Sequence, residues 1–294
     1  MTRCLSLSNG PHAMPGRYRS RMKDVSGKLV LVTGAAMGMG RMYAERALAE
    51  GARAVVLWDV DAARLEATRE ALAASGASVH AYPVDLSDPA AIPDAAARVL
   101  EQVGVPEVLI NNAGMVRSSW FWEEDPTSAT EATIRVNALA PMLVARAFLP
   151  AMIDAGAEAR ILNVASAAGT LANPRMASYA ASKWAVIGWS DSLRLELVKA
   201  GHGHVKVTTF APSYIDTGMF AGARGPALTP IMKPEFAVRR AWRAMLRGTP
   251  VLYLPWSVGL AKAMRGVLPT RAWDLIGGKW LGVYRSMDEF RGRG

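Results

Sequence analysis

Short apolar segments alternate along the chain with longer segments in which apolar residues recur at helical spacing. Residues 28–32 are rich in β-branched side chains and predict a buried strand, and residues 54–58 predict a second one. Residues 41–50 have the spacing of an amphipathic helix, and residues 62–75 predict another. Strands that alternate with helices in this way predict an α/β fold with a doubly wound parallel sheet, in three layers.

A glycine-rich turn, T-G-A-A-M-G-M-G at residues 33–40, joins the first predicted strand to the first predicted helix. Glycine allows a tight turn and a close approach of the backbone to a phosphate, and a helix N-terminus offers amide donors and a positive dipole end. The order of strand, glycine turn, helix and strand is that of a dinucleotide site. The candidate phosphate-binding residues are Thr33, Gly34, Met37, Gly38, Met39 and Gly40.

An acidic residue closes the second predicted strand. Asp59 lies 19 residues after Gly40, near the spacing at which a carboxylate binds the adenosine ribose hydroxyls. The carboxylate would repel a 2′-phosphate, and no arginine stands beside it in residues 57–61, so we expect NAD rather than NADP. The alternative role for Asp59 is to cap the following helix, for which Asp61 is better placed.

Tyr179 and Lys183 are four residues apart, so they stand on the same face of a helix. A free tyrosine has a pKa of about 10, and a nearby ammonium group favours the phenolate. The pair is therefore a candidate general base. The alternative is an ordinary pair of residues on a helix surface.

Together these motifs resemble the short-chain dehydrogenase/reductase family, whose members have a Rossmann fold, and further motifs match in order. The segments V-D-L at 84–86 and N-N-A-G at 111–114 are similar to those that hold the adenine ring and line the cofactor trough. Residues 212–217 are similar to the segment that wraps the nicotinamide carboxamide, although Ser213 replaces the usual glycine. The resemblance implies that the cofactor is also bound by Asp85, Leu86, Asn112, Ala113, Gly114, Tyr179, Lys183, Pro212, Ile215 and Thr217.

The resemblance also implies a catalytic set: Asn137, Ser166, Tyr179 and Lys183. In this set Tyr179 is the general acid and base, and Lys183 together with the oxidised nicotinamide lowers its pKa. Ser166 stabilises the substrate oxygen, and Asn137 holds a water near the lysine. The function implied is hydride transfer between NAD and an alcohol or carbonyl substrate. The alternative is a cofactor-binding regulatory or scaffold protein of the same fold that lacks turnover.

Within the family, the chain resembles the branch of retinol dehydrogenases and related lipid-alcohol dehydrogenases, through residues 57–59, 216–220, 233–234, 250–269 and 287–293. Three apolar segments, 116–122, 167–176 and 218–232, should form the substrate pocket at the carboxyl edge of the sheet. A bulky apolar alcohol or carbonyl compound is therefore expected, although each aromatic could instead be ordinary core. The candidate substrate contacts are Val116, Trp120, Trp122, Ala168, Met176, Tyr214, Met219 and Phe220.

Charge is concentrated at the two ends of the 294-residue chain, whose net charge is +9. Residues 1–24 include five basic residues and predict a disordered tail, followed by a single domain at 25–294. Residues 219–294, the expected substrate lid, hold 13 Lys or Arg against 4 Asp or Glu, together with four of the nine tryptophans. Basic residues among tryptophans are typical of peripheral membrane binding; the alternative is that these aromatics build the lid and a subunit interface.

Other features exclude several classes of protein. The single cysteine, Cys4, permits no internal disulfide, and we found no metal-binding motif and no nucleic-acid-binding module. Residues 1–24 lack the apolar run of a secretory signal, so we expect a cytoplasmic protein. The resemblance implies a homodimer or homotetramer, with Trp184 and Trp189 on the helix that pairs between subunits.

Overall fold

The computed structural model describes residues 22–74 and 76–292, and its central element is a seven-stranded, fully parallel sheet. The strand order is β3-β2-β1-β4-β5-β6-β7. After β3 the chain therefore crosses back to the other side of β1, where β4 begins the second half of the sheet, as in a doubly wound fold. The strands are β1 Leu29–Thr33, β2 Ala54–Asp59, β3 Val79–Pro83, β4 Val108–Asn111, β5 Ala159–Val164, β6 Val205–Pro212 and β7 Val251–Leu254.

Helices cover both faces of the sheet, which gives the expected three layers and confirms the Rossmann fold. The longer ones are α1 Gly38–Ala49, α2 Ala62–Ala73, α3 Ala91–Gln102, α4 Pro126–Asp154, α5 Ala177–Lys199, α6 Pro234–Arg247 and α7 Trp256–Val267. A final helix, α8, begins as Thr270–Trp273 and continues in π-helical geometry as Asp274–Trp280.

Two apolar clusters, one on each face of the sheet, form the core. One contains Tyr43 of α1 and Trp242 of α6, whose rings stack with centroids 6.3 Å apart. The other contains Trp58 of β2 and Phe148 of α4, with ring centroids 5.8 Å apart. Strands buried on both faces explain why the apolar segments of the sequence are continuous rather than alternating.

The N-terminal part of the domain differs in two places from the sequence-based expectation. Most of the predicted tail lies outside the described residues, but Met22 is packed in the core at 3% exposure. The packed chain therefore begins before residue 25. Helix α1 begins at Gly38 rather than residue 41, so its first turn lies inside the glycine-rich segment. Helix α2 is capped by Asp61, whose side chain accepts a hydrogen bond from the amide of Arg64 at 3.0 Å.

Within the described residues, helix α4 alone is long and apolar enough to cross a membrane by length and composition. Its position argues for a different role. Val144 and Phe148 of this helix are fully buried against the sheet, and Asn137 is buried beside α5. Helix α4 is therefore a core helix of the domain.

A line of buried polar side chains connects the sheet to α5. Asn111 and Asn163 are in register on β4 and β5, and the amide nitrogen of Asn111 donates to Asn163 Oδ1 at 2.8 Å. Asn163 in turn donates to Ser190 Oγ at 2.9 Å. Because an unpaired buried amide is costly, these bonds fix where α5 lies against the strands.

Candidate active site

The main cavity opens at the carboxyl ends of β1, β2, β4 and β5 and has a volume of about 440 Å³. The glycine turn forms its floor. Gly34 and Gly38 have positive φ values of 65° and 56°, which other residues rarely adopt. At Gly40 a Cβ atom would lie 1.9 Å from the carbonyl oxygen of Gly34, so only glycine fits.

Hydrogen bonds hold this turn against the end of β4. Thr33 Oγ1 accepts from the amides of Asn112 and Ala113, each at 3.1 Å. The Asn112 side chain donates to the carbonyl oxygens of Thr33 and Gly34 at 3.0 and 3.2 Å. Neither Thr33 nor Gly40 lines the cavity, and the two residues instead set the shape of its floor.

Asp59 lies at one end of the cavity, where its carboxylate is already oriented. The amide of Ala36 donates to Asp59 Oδ2 at 2.9 Å, and the amide of Asp61 donates to Oδ1 at 3.1 Å. The sequence reasoning missed Arg64, whose Nη1 lies 3.8 Å from Met37 Sδ and whose Nε lies 3.4 Å from Asp61 Oδ2. The sequence did offer a signal, since Arg64 lies three residues after the helix cap Asp61 and so in the first turn of α2, near the end of β2.

The structure brings nearly all of the predicted cofactor residues to this one cavity. Ser166, Met219 and Phe220 line it as well. The predicted cofactor residues that line it are Gly34, Met37, Gly38, Met39, Asp59, Asp85, Leu86, Asn112, Ala113, Gly114, Tyr179, Lys183, Pro212, Ile215 and Thr217.

The replacement of glycine by Ser213 is accommodated in the backbone. Among the described non-glycine residues, only Arg175 and Leu228 have positive φ values. The amide of Ser213 donates to the carbonyl oxygen of Leu254 at 2.7 Å, which continues the pairing of β6 with β7. The conformation at this point therefore does not require glycine.

Ser166, Tyr179 and Lys183 meet at the inner end of the cavity, and all three are buried. Ser166 follows β5 and hydrogen-bonds the phenol of Tyr179. Lys183, one turn along α5, donates to the carbonyl oxygen of Val164 at 3.0 Å, and its Nζ lies 5.8 Å from the centre of the Tyr179 ring. A hydroxyl, a phenol and an amine arranged in this way can transfer a proton to or from a bound oxygen.

Asn137 lies behind this group, in a π-helical stretch of α4, Arg135–Leu139. Its Oδ1 accepts from the amide of Met115 at 2.8 Å, and its Nδ2 donates to the carbonyl oxygen of Met115 at 2.8 Å and to Ser182 Oγ at 3.1 Å. These contacts hold the segment after β4 against α5. Gly114 leaves room there, since a Cβ would lie 3.2 Å from Asn137 Oδ1 and 3.5 Å from Lys183 Nζ.

Burial dominates the titration of the central pair in the absence of cofactor. Desolvation raises the pKa of Tyr179 to about 12, with the hydrogen bond from Ser166 opposing the rise and the neighbouring Tyr214 adding to it. Desolvation lowers the pKa of Lys183 to about 8. The lysine by itself therefore does not give the acidic phenol that the sequence reasoning expects, and at neutral pH Tyr179 is a neutral phenol.

A second, more apolar chamber of about 110 Å³ adjoins the cavity. Ser166, Ser213 and Phe220 line both spaces, so the reactive group lies at their junction. The wall also includes Met264 and Trp273 from α7 and α8. Sequence reasoning placed this C-terminal part in a lid, with its tryptophans as an alternative lining. It named no substrate contact beyond Phe220 there, because the proximity of these residues depends on long-range packing.

One wall of the chamber carries a hydrogen-bonded trio of polar side chains, of which sequence reasoning named only Tyr214. Asn173 Nδ2 donates to Ser286 Oγ at 2.9 Å and to the Tyr214 hydroxyl at 3.2 Å. The Tyr214 hydroxyl donates to Ser286 Oγ at 2.8 Å. Asn173 Oδ1 is buried and has no hydrogen-bond partner in the described structure, so the wall offers an acceptor.

The predicted substrate residues fall into different places. Ala168, Met176, Tyr214 and Phe220 line the chamber, whereas Met219 lines the cofactor-sized cavity. Val116 packs beside Tyr179 without lining either space.

Trp120 and Trp122 lie outside both spaces, contrary to expectation. They stack on each other at 5.3 Å and are 41% and 77% exposed. The segment after β4 turns outward there, and the guanidinium of Arg175 covers Trp120 at 5.6 Å.

Comparison with known proteins identifies the family. The family model for short chain dehydrogenase matches residues 28–226. Epidermal retinol dehydrogenase 2 of Mus musculus is 35% identical over 274 residues, which cover 92% of this chain and 87% of that protein. Estradiol 17-beta-dehydrogenase 11 of Pongo abelii is 36% identical over 252 residues, which cover 85% of this chain and 82% of that protein.

Solved structures agree with this comparison. A short chain dehydrogenase/reductase from Burkholderia phymatum in complex with NAD has a TM-score of 0.74 and 26% identity, over 83% of this chain and 95% of that one. A metagenomic short-chain oxidoreductase in complex with NADP has a TM-score of 0.65 and 31% identity, over 78% of this chain and 96% of that one. The chain therefore belongs to the short-chain dehydrogenase/reductase family, in the branch related to retinol dehydrogenases.

Proposed function

We propose that this protein is an NAD-dependent dehydrogenase that interconverts a bulky apolar alcohol and its carbonyl compound. The observation that carries the proposal is the junction at Ser166, beside Tyr179, where a cavity floored by a glycine turn meets an apolar chamber. Relatives named as retinol and estradiol dehydrogenases support a retinoid, steroid, terpenoid or long-chain alcohol as substrate class. The assembly of all four catalytic candidates favours turnover over a scaffold role.

The residues of the cavity fit a dinucleotide. The glycine turn leaves space that a Cβ would fill, and the Asp59 carboxylate is held by two amides at the far end. We assign the pyrophosphate to the turn between Gly34 and Gly40, and the ribose hydroxyls to Asp59 and Lys183. The bound nicotinamide would accept or return the carbinol hydride.

In the proposed mechanism Tyr179 takes the hydroxyl proton of the alcohol while Ser166 hydrogen-bonds the same oxygen. Oxidation yields the carbonyl compound, reduced cofactor and one proton. With a pKa of about 12, Tyr179 needs a large fall in pKa to act as a base at neutral pH. We assign that fall to the positive charge that the oxidised cofactor adds, together with Lys183, which is mostly protonated at neutral pH because its pKa is about 8. In the reductive direction the neutral phenol is already the required acid.

For the water near Lys183 we propose a different contact from the sequence-based expectation. Both polar atoms of the Asn137 side chain are engaged by Met115 and Ser182. We therefore assign the contact with water to the main chain of the π-helical stretch, and give the side chain the role of holding Met115 in position. π-Helical turns often occur at functional sites in this way.

The preference for NAD rests on the Asp59 carboxylate, which would repel a 2′-phosphate. Arg64 lies on the same side of the cavity, against Met37, and would attract a 2′-phosphate if Asp59 were removed. We also propose a cytoplasmic homodimer or homotetramer that forms through α4 and α5. Trp189 packs into the core, but Trp184, Leu195 and Val198 are 43%, 53% and 53% exposed.

The test of function is turnover followed by the absorbance of reduced nicotinamide, with NAD or NADP and a panel of retinol, hydroxysteroids, terpenoid alcohols, long-chain alcohols and small polyols. We expect oxidation of an apolar member with NAD. The variant Tyr179→Phe should lose at least ~100-fold of kcat and bind NAD as the wild type does in calorimetry. Retained turnover by this variant would exclude Tyr179 as the base. If the wild-type protein bound NAD but turned over no alcohol of the panel, the scaffold role would be favoured. Light scattering of the variant Leu195→Glu tests the subunit interface: if the interface is as proposed, this variant should be a monomer.

A further inference from the structure

Helix α7, Trp256–Val267, leaves one apolar face uncovered. Trp256, Leu260 and Val267 are 69%, 48% and 84% exposed, and the exposed Ala263 lies between them. Spacings of four, three and four residues place these side chains in one stripe along the helix. The other side of the helix packs on the domain through Ser257 and Val258, which are buried. We call the stripe and the adjoining Leu228 the α7 surface.

The α7 surface surrounds the mouth of the apolar chamber. Leu260 and Leu228 line the chamber, yet they are 48% and 69% exposed, so they lie where the chamber reaches solvent. Ser257 Oγ donates to the carbonyl oxygen of Leu228 at 2.8 Å, which ties the loop to the helix. An exposed leucine with a φ of 62° is unusual, and this bond helps to hold it there.

Basic residues accompany this apolar surface. Lys262 and Arg265 are exposed on α7, and Arg271 and Lys279 are exposed on α8. Residues 219–294 as a whole hold 13 Lys or Arg against 4 Asp or Glu. An apolar stripe with a tryptophan among cations matches an anionic bilayer, where the ring enters the headgroup region and the cations meet lipid phosphates.

Another exposed aromatic surface of the molecule provides a contrast. Phe121 and Trp122 are 59% and 77% exposed, but the residues that follow them are Glu123, Glu124 and Asp125. An anionic membrane would repel these three carboxylates, although Arg175 lies nearby over the ring of Trp120. Exposure of large apolar side chains alone therefore does not distinguish the two surfaces, whereas the sign of the neighbouring charge does.

We propose that the α7 surface binds an anionic lipid bilayer and that the apolar substrate passes from the bilayer into the chamber without crossing water. A helix of 12 residues is too short to span the hydrocarbon core, so it would lie in the interface. The passage of substrate rests on the proposed function, whereas the binding of lipid does not.

The first experiment measures flotation of the full chain with vesicles of phosphatidylcholine alone and with vesicles containing 30% phosphatidylserine. We expect binding to the anionic vesicles that weakens with salt. Trp256→Ser/Val267→Ser removes exposed stripe residues that do not line the chamber, and should weaken partitioning by at least about tenfold. Arg271→Gln/Lys279→Gln should weaken it by a similar factor. The matched control Phe121→Ser/Trp122→Ser should bind as the wild type does.

Two results would overturn the proposal. One is that the stripe variant binds anionic vesicles as well as the wild type and the control do. The binding would then come from another part of the chain, such as the basic N-terminal segment, which is the same in all of these proteins. The other is that the stripe variant changes the mass measured by light scattering, which would make a second copy of the chain the occupant of the surface.

A second measurement separates this proposal from the proposed function. Tyr179→Phe should bind vesicles normally, since the phenol is remote from lipid contact in the proposal. The rate with retinol carried in anionic vesicles should fall in the stripe variant, while the rate with a short water-soluble alcohol should not. Vesicle binding without turnover of any alcohol would refute only the proposed function. Equal loss of both rates would refute the passage of substrate from the bilayer.

Discussion

The substitution Gly40→Ala tests the glycine turn most directly, because the structure gives the size of the perturbation. The added Cβ would lie 1.9 Å from the carbonyl oxygen of Gly34, 2.7 Å from its carbonyl carbon and 2.8 Å from Asn112 Nδ2. Two of these atoms belong to the backbone of the turn and cannot rotate away. To restore an ordinary contact, the turn and α1 must separate by about 1.5 Å.

A displacement of more than about 1 Å is large for a site that places a cofactor against a reacting carbon. Such a change can cost about 100-fold in rate, and we expect NAD to bind about 100-fold more weakly because the amides of the turn move together. Overpacking should also cost about 1–3 kcal/mol of folding free energy. For a domain of this size, each kcal/mol lowers the melting temperature by about 2–4 °C.

Calorimetric titration with NAD and thermal unfolding by circular dichroism measure the two effects separately. The matched control is Gly266→Ala in α7, where a Cβ would meet nothing within 4 Å. It should bind NAD as the wild type does and be slightly more stable, since alanine favours a helix by about 1 kcal/mol. If a folded Gly40→Ala protein bound NAD within about threefold of the wild type, the turn would not be the phosphate site.

Three further predictions concern charge and buried polar groups. Because burial lowers the pKa of Lys183 from 10.5 to about 8, the folded chain loses this proton before the unfolded chain does, and stability rises between these pH values. The variant Lys183→Met lacks this gain. In urea denaturation of the cofactor-free protein, its free energy of unfolding relative to that of the wild type should therefore fall by ~3 kcal/mol between pH 7 and pH 10.5; a constant difference would contradict the burial argument. Asp59→Ala should raise kcat/KM with NADP relative to NAD, and adding Arg64→Ala should remove most of that gain; no change in the ratio would mean that the ribose carboxylate is misassigned. Ser286→Ala should cost about 1–3 kcal/mol in urea denaturation, because it takes the acceptor from Asn173 and Tyr214; an unchanged midpoint would mean that water replaces the hydroxyl.

Local patterns predicted the first two strands, the glycine turn and Asp59, and the family resemblance supplied Asn112 and Ser166. Parallel strands end at one edge of the sheet, so Asp59, Asn112 and Ser166 had to come together once the strands were found. The start of α1 was predicted three residues late, since glycine has a low helix propensity and the helix nevertheless begins at Gly38.

The chamber was harder to predict, because chain segments far apart in sequence form it. Ser286 meets Asn173 across 113 residues, and no periodicity in the sequence reports that contact. The apolar character of Trp120 and Trp122 suggested burial, but the direction in which their loop leaves β4 decides their position. Burial also outweighed the lysine in setting the pKa of Tyr179, which a spacing of four residues cannot indicate.

The chamber has consequences for how this enzyme could diverge or be redesigned. The family pattern ends at residue 226, where the chamber wall contributed by the last part of the chain begins. One consecutive stretch therefore supplies the part of the wall from Ala227 to Ser286, while Ala168, Asn173, Met176 and Tyr214 supply another part from within the family pattern. A chimera that takes residues from 227 onward from a relative should shift its substrate range toward that of the relative while it keeps its own cofactor, so new specificities can arise by exchange of one gene segment.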